Sequence, residues 1–185
     1  LTRMVKAGRR VGFARAQSRE KQHWFVNELA PLAQGEHVLD SFMAQASVLD
    51  VSEPSLPCEL NLPPLPKELS VPYVVINPSA SKAERNWTVA GYQAVLECLS
   101  EKGITAVLTG GPSEQEQQFA QQILEGKSAD VINLVGKTPL DKMLSVLKQA
   151  RLVVSPDTGP VHMATLVGTP VLGLYAHSNP ARTGP

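Results

Sequence analysis

The chain has 185 residues, 43% of them hydrophobic, with Lys+Arg and Asp+Glu balanced at 17 each. That length carries one sizeable core, or one domain plus part of another, and the balanced charge argues against indiscriminate nucleic-acid binding. Cys58 and Cys98 show no metal-ligand spacing and fit a reducing compartment. No apolar signal segment opens the chain, and the apolar stretch 152–175 is interrupted by Pro156, Asp157, Pro160 and Pro170. A membrane span needs about 20 mainly apolar residues, so this stretch reads as buried strands around a helix and the expected setting is cytoplasmic.

In chain order, Arg3, Lys6, Arg9, Arg10, Arg15 and Arg19 all precede the first acidic residue, Glu20. Such a run is either a solvated surface or an attraction for an anionic substrate. Helices are expected over Ser18–Leu29 and His37–Leu49. Pro54, Pro57, Pro63, Pro64 and Pro66 then make a proline-rich connector. Residues 1–52 are therefore expected to be the end of an N-terminal domain, 53–71 a linker, and 72–185 an α/β domain.

The α/β region alternates strand and helix signals. Pro72–Ile76 is a β-branched run, followed by a helix with Thr88 as N-cap, apolar positions at Val89, Tyr92, Leu96 and Leu99, and Gly103 as the stop. Ile104–Leu108 is the next strand, and Ser113 with Glu116 forms a capping box for a helix to about Gly126. Val131–Val135 is a third strand, and Thr138-Pro139 opens a helix with proline at its first position. Leu152–Val154 and Val171–Leu174 supply the last two strands. Buried strands alternating with helices specify a parallel sheet covered on both faces. In such sheets ligands bind beyond the carboxyl ends of the strands. The loops Asn77–Trp87, Gly110–Glu116 and Ser155–His162 all fall at those ends.

The third loop, Asp157-Thr158-Gly159-Pro160-Val161-His162, carries the sharpest signal. It delivers a strand into a helix whose first N–H groups lack internal partners and carry the positive end of the helix dipole, which suits a phosphate or a sugar-nucleotide diphosphate. Asp157 and His162 flank that cradle. Taken singly, Asp157 is as easily a helix cap and His162 a packed histidine. In the first loop Lys82 and Arg85 are a phosphate clamp or two solvated cations. In the second, Gly110-Gly111 admits close backbone approach, and Glu114 is the better ribose acceptor because Glu116 already serves the capping box. An aspartic-protease reading of Asp-Thr-Gly fails for want of an all-β setting and a second aspartate. Gly-x-Gly-x-x-Gly is absent, which weakens an NAD-dependent oxidoreductase reading; a Walker loop and a paired Asp-x-Asp are absent too, and no cofactor and no metal is expected.

Together these stretches resemble glycosyltransferase family 9, the ADP-heptose:lipopolysaccharide heptosyltransferases. The matching segments are Gly12–Glu20, Asn77–Ser81 leading to Arg85-Asn86-Trp87, Gly110–Glu114, and Asp157–His162 running to Pro180–Pro185. The resemblance implies a GT-B enzyme with two Rossmann-like domains, the C-terminal one binding the ADP-sugar and the N-terminal one the acceptor. It implies that Asp157, Thr158 and Gly159 hold the diphosphate and adjoining sugar, with His162 in support. It further implies that Ser81 and Arg85 touch the phosphates, Glu114 the ribose, and Arg15 and Arg19 the anionic acceptor. The family usually has lysine where this chain has Arg85, which keeps the charge and changes the donor geometry. Implied partners are ADP-heptose and lipid-linked lipopolysaccharide core, with peripheral contact at the inner membrane. Family members are nearly twice as long, and the aspartate that serves them as general base is expected outside these residues, so the chain alone is expected to be inactive and to stop short of the family's closing helices. A family member using another nucleotide-sugar and a non-catalytic nucleotide-binding module are the alternatives.

Overall fold

The protein is described by a computed structural model covering residues 4–51, 57–69, 72–80, 82–126 and 131–185. The chain forms two compact units, Leu1–Pro54 with Pro180–Thr183, and Ser55–Asn179 with Gly184–Pro185. The units divide in sequence between Pro54 and Ser55, and Pro180–Thr183 group with the first.

In the first unit, β1 (Val11–Gly12) pairs in parallel with β2 (Glu28–Leu29), and α1 spans Val38–Ser47. His37 caps α1, its Nδ1 accepting from Leu39 N at 3.2 Å. The helix expected over Ser18–Leu29 does not form. Only Gln22–Trp24 make a 3-10 turn, entered through left-handed Glu20 (φ 51°) and Lys21 (φ 57°), and Glu28–Leu29 are extended. The physical reason is tertiary. Strand pairing to β1 and the Arg9–Glu28 ion pair at 2.7 Å hold Glu28 extended, and pairing outweighs the modest helix preference of this polar segment.

The second unit is a five-stranded parallel sheet of β3 (Tyr73–Ile76), β4 (Thr105–Leu108), β5 (Val131–Asn133), β6 (Leu152–Pro156) and β7 (Val171–Leu174). Its spatial order is β5-β4-β3-β6-β7, a Rossmann-like arrangement. The helices between strands are α2 (Val89–Glu101), α3 (Glu114–Leu124), α4 (Leu140–Gln149) and α5 (Gly159–Leu166). A final short helix, α6 (Pro180–Thr183), groups with the first unit. Side chains alternate across the sheet. Tyr73, Val75, Val107 and Val153 pack with Met143, Val146 and Leu147 of α4 and Ala164 of α5. Val74, Ile76, Ala106, Leu108 and Val154 pack with Tyr92 and Leu96 of α2 and Ala120 and Ile123 of α3. Both faces of the central strands β3, β4 and β6 are largely buried, which is why these strands read as continuous apolar runs.

The helix starts follow local chemistry. Thr88 Oγ1 accepts from Gly91 N at 3.1 Å, and Ser113 Oγ accepts from Glu116 N at 3.3 Å. Pro139 differs from expectation. It is the N-cap of α4, in extended conformation at ψ 164°, and its carbonyl receives the first helical bond from Met143 N at 2.9 Å. The described part of the proline-rich connector is packed against the sheet layer: Cys58 N donates to Leu166 O at 2.8 Å, Ser145 Oγ donates to Pro63 O at 2.7 Å, and Leu62 and Leu65 lie on the α4–α5 face.

Candidate functional site

The strand order creates a switch point between β3 and β6. The connection leaving β3 runs toward β4, and the one leaving β6 runs toward β7, so the loops after these neighbours part and open a crevice. The crevice is a cleft of about 890 Å³ within the second unit. All three loops expected at the sheet edge line it: Ser79, Ala80, Arg85 and Asn86 from the first, Gly110, Gly111 and Glu116 from the second, and Asp157–Pro160 from the third.

Each loop is fixed by bonds readable in local chemistry. In the first, Asn77 Nδ2 donates to Ser79 O at 3.0 Å, Ala80 N donates to Asn86 Oδ1 at 2.7 Å, and Tyr92 OH reaches from α2 to donate to Pro78 O at 3.2 Å. Burial pushes the Tyr92 hydroxyl up to about 12. In the second, Glu116 holds both ends of the turn. Its Oε1 accepts from Gly111 N at 2.9 Å and its Oε2 from Ser113 Oγ at 2.7 Å. The capping glutamate thus reaches past the N-cap amide to the glycine pair. A Cβ on Gly111 would stand 2.6 Å from Glu116 Oε2, so glycine is needed for that approach. In the third, Thr158 Oγ1 pairs with Ser155 Oγ at 3.0 Å and contacts Pro156 O at 3.3 Å. Thr158 is the N-cap of α5 yet makes no side-chain cap bond, so the amides opening α5 are not capped by its hydroxyl.

The expected site residues are distributed as follows. Arg85, Asp157, Thr158 and Gly159 line the cleft together. Ser81 lies outside the described residues. Glu114 is exposed on the first turn of α3 and is not a lining residue, whereas Glu116 is. Lys82 is exposed and lies off the lining. His162 Nε2 stands 3.8 Å from Asp157 Oδ1, with side chains 51% and 12% exposed, so the histidine sits on the solvent side of a largely covered carboxylate. Arg15 and Arg19 are exposed in the turns following β1, in the first unit.

Two walls of the cleft, and one side chain near it that does not line it, escape sequence reasoning. Thr138, Leu140 and Met143 bring the β5–α4 connection into the cleft as a fourth wall, and Leu140 is 70% exposed there. Gln115, Gln118 and Gln122 line it from one stripe of α3. Tyr175 follows β7 where Asp157 follows β6, since Pro156 pairs with Leu174, and its buried hydroxyl has no hydrogen-bond partner. Burial, then the Asp157 charge, pushes that hydroxyl above its ordinary range. A leucine directly after Thr138-Pro139, at the start of a helix that follows a strand, is the one sequence signal for the fourth wall. Among the described residues no group of His, Cys, Asp and Glu is arranged to hold a metal ion, and no helix is long and apolar enough to cross a membrane.

A cleft at the switch point of a Rossmann-like sheet, with a helix N-terminus and a guanidinium on its walls, has the chemistry of a nucleotide-diphosphate site. The sequence model for glycosyltransferase family 9 (heptosyltransferase) matches residues 1–185. The chain belongs to that family. It is 34% identical over 188 residues to the lipopolysaccharide core heptosyltransferase OpsX of Haemophilus influenzae, covering 98% of this chain and 54% of that protein. It is 29% identical over 158 residues to a lipopolysaccharide heptosyltransferase 3 of Escherichia coli, covering 80% of this chain and 46% of that protein. The E. coli heptosyltransferase WaaC solved with ADP superposes at a TM-score of 0.75 with 24% identity, over 94% of this chain and 55% of that one. The E. coli ADP-heptose lps heptosyltransferase II superposes at 0.74 with 20% identity, over 96% and 59%. This family 9 chain thus spans about half the length of the curated relatives it matches, and its second unit has the Rossmann-like parallel α/β fold of the GT-B heptosyltransferases.

Proposed function

We propose that this chain carries the donor-binding part of an inverting heptosyltransferase that moves heptose from ADP-heptose to the inner core of lipopolysaccharide. The observation that carries the reading is the grouping of Arg85 with the Asp157-Thr158-Gly159 entry to α5 on one cleft at the switch point, in a glycosyltransferase family 9 chain. The amides opening α5 and the Arg85 guanidinium receive the diphosphate, and both gain strength as negative charge builds on departing ADP. Asp157, oriented beside His162, accepts from the sugar hydroxyls. Ser81 adds a phosphate contact, and Glu114, beside the lining residues Ser113 and Gln115, reaches the ribose from the rim of the cleft. Leu140, Met143 and Met163 give the cleft an apolar side suited to a base. Arg15 and Arg19 meet the phosphorylated acceptor. The base that deprotonates the attacking acceptor hydroxyl is not among the residues assigned to this cleft. Because the acceptor is lipid-linked, the enzyme works in peripheral contact with the inner membrane, on its cytoplasmic side.

Calorimetric titration with ADP and UDP tests the reading, repeated on Asp157→Ala. ADP binding in preference to UDP, weakened about tenfold or more in the variant as expected for a lost polar contact, supports it. Preference for UDP sinks the heptose assignment, and a folded chain that binds neither nucleotide sinks the donor site.

A further inference from the structure

The first unit exposes apolar side chains in two different settings. Leu39 and Phe42 lie along α1, Phe42 with its ring 6.0 Å from that of Phe13, as on a helix face that packs against protein. Trp24 is different. It is 62% exposed at the end of the Gln22–Trp24 turn, and Phe25 beside it is exposed as well. The Lys21 ammonium lies 4.7 Å from the Trp24 ring centre, and His23 meets the same ring edge-on at 5.9 Å. Arg15, Arg19 and Lys21, all exposed, stand against the single acid Glu20 between residues 15 and 25.

This tip is held without help from the tryptophan. Gln22 N donates to Arg19 O and Trp24 N to Lys21 O, each at 3.0 Å. Ser18 Oγ accepts from His23 N at 3.0 Å and lies 3.1 Å from His23 Nδ1. Those bonds secure two consecutive left-handed residues, Glu20 and Lys21, a strained path that carries Trp24 outward. A core-facing tryptophan would not sit under a lysine ammonium. An amphipathic ring rimmed by cations is the arrangement that partitions into the headgroup layer of an anionic bilayer.

We propose that the tip formed by Lys21, Trp24 and Phe25 docks this chain on an anionic phospholipid surface, the two aromatic rings entering the headgroup layer while the Lys21 ammonium meets lipid phosphates and Arg15 and Arg19 add to the basic field around the tip. The inference rests on the acceptor reading above, which brings the chain to a membrane, and it names the surface that makes the contact.

The test is co-sedimentation of the 185-residue chain with phosphatidylcholine vesicles, with and without phosphatidylglycerol, alongside tryptophan emission. Trp24 and Trp87 are the two tryptophans, so Trp87→Phe leaves Trp24 as the reporter. The expected result is salt-sensitive binding to the phosphatidylglycerol vesicles only, with a blue shift of Trp24 emission. Trp24→Ala is expected to weaken binding about tenfold at unchanged Tm, losing the ring's interfacial insertion. Lys21→Ala, which keeps the ring, weakens it too and serves as the second variant if Trp24→Ala does not fold. Absence of binding to anionic vesicles, equal binding to neutral ones, or unshifted emission on binding overturns the proposal. So does a dimer that Trp24→Ala dissolves, which would assign the tip to a second copy. ADP titration of the same preparation keeps the two readings separate: lost nucleotide binding counts against the donor site, and the vesicle result alone decides the docking tip.

Discussion

Tyr92→Phe isolates one hydroxyl that links α2 to the first loop of the cleft. The ring stays, with its edge-on contacts to Trp87 at 5.4 Å and Phe119 at 6.2 Å. What goes is the bond to Pro78 O at 3.2 Å, and the buried Pro78 carbonyl is left unpaired. That costs about 1–2 kcal/mol at neutral pH. The same hydroxyl also couples stability to alkali. Burial raises the Tyr92 pKa from 10.0 to about 12, so the unfolded chain ionises first. The contribution is fully present below pH 10.0 and is lost as pH rises toward 12. Tyr73, whose hydroxyl donates to Val146 O at 2.7 Å and is likewise pushed up to about 12, behaves in the same way. Over the full window each tyrosine contributes on the order of a few kcal/mol, part of which is already lost by roughly pH 11. Denaturant unfolding of wild type and Tyr92→Phe at about pH 8 and about pH 11 reads this directly, since groups common to both chains cancel. The gap between them is expected to narrow by on the order of 1 kcal/mol on going to the higher pH. A gap that stays constant would refute the argument, because the Tyr92 hydroxyl would then ionise as readily in the folded chain as in the unfolded one.

Glu116→Ala removes the acceptor for both Gly111 N and Ser113 Oγ, and is expected to cost about 1–2 kcal/mol in chemical denaturation. ADP affinity should fall with it, because the glycine turn lines the cleft, and unchanged affinity would separate the turn from the site. Leu108→Ala empties a fully buried position between α2 and α3 and should cost about 3 kcal/mol, a loss below about 1 kcal/mol meaning that the site collapses.

Much of the second unit is legible because its signals are local. Each strand is an apolar run of the length that a two-faced sheet requires, and Val171–Leu174 matches β7 to the residue. Thr88 and Ser113 cap helices because a hydroxyl in extended backbone reaches the amides three residues on, whatever surrounds it. The three cleft loops were legible for a related reason: a parallel sheet puts all its strand-to-helix turns on one edge. The misreadings are equally instructive. Ser18–Leu29 has helical polarity, but Glu28 pairs with Val11 and Arg9, contacts across 17 and 19 residues of chain that no window over the segment contains. Proline's fixed φ suits both the N-cap and the first turn, so local chemistry alone puts Pro139 one position too far into α4.

What the sequence by itself determined is the inventory: strands, helix starts, turn chemistry, and the Asp157-Thr158-Gly159 entry to α5. Each is set by interactions within a few residues. The tertiary structure decided the order β5-β4-β3-β6-β7, and with it which loops become neighbours. Only that order brings Arg85 and Asp157, 72 residues apart, onto one cleft. It also adds Thr138, Leu140 and Met143 as a wall and sets Tyr175 beside the strand that carries Asp157. Strand order follows from how two-sided apolar faces are shared among helices across the whole sheet, a balance of long-range burial that no local pattern encodes.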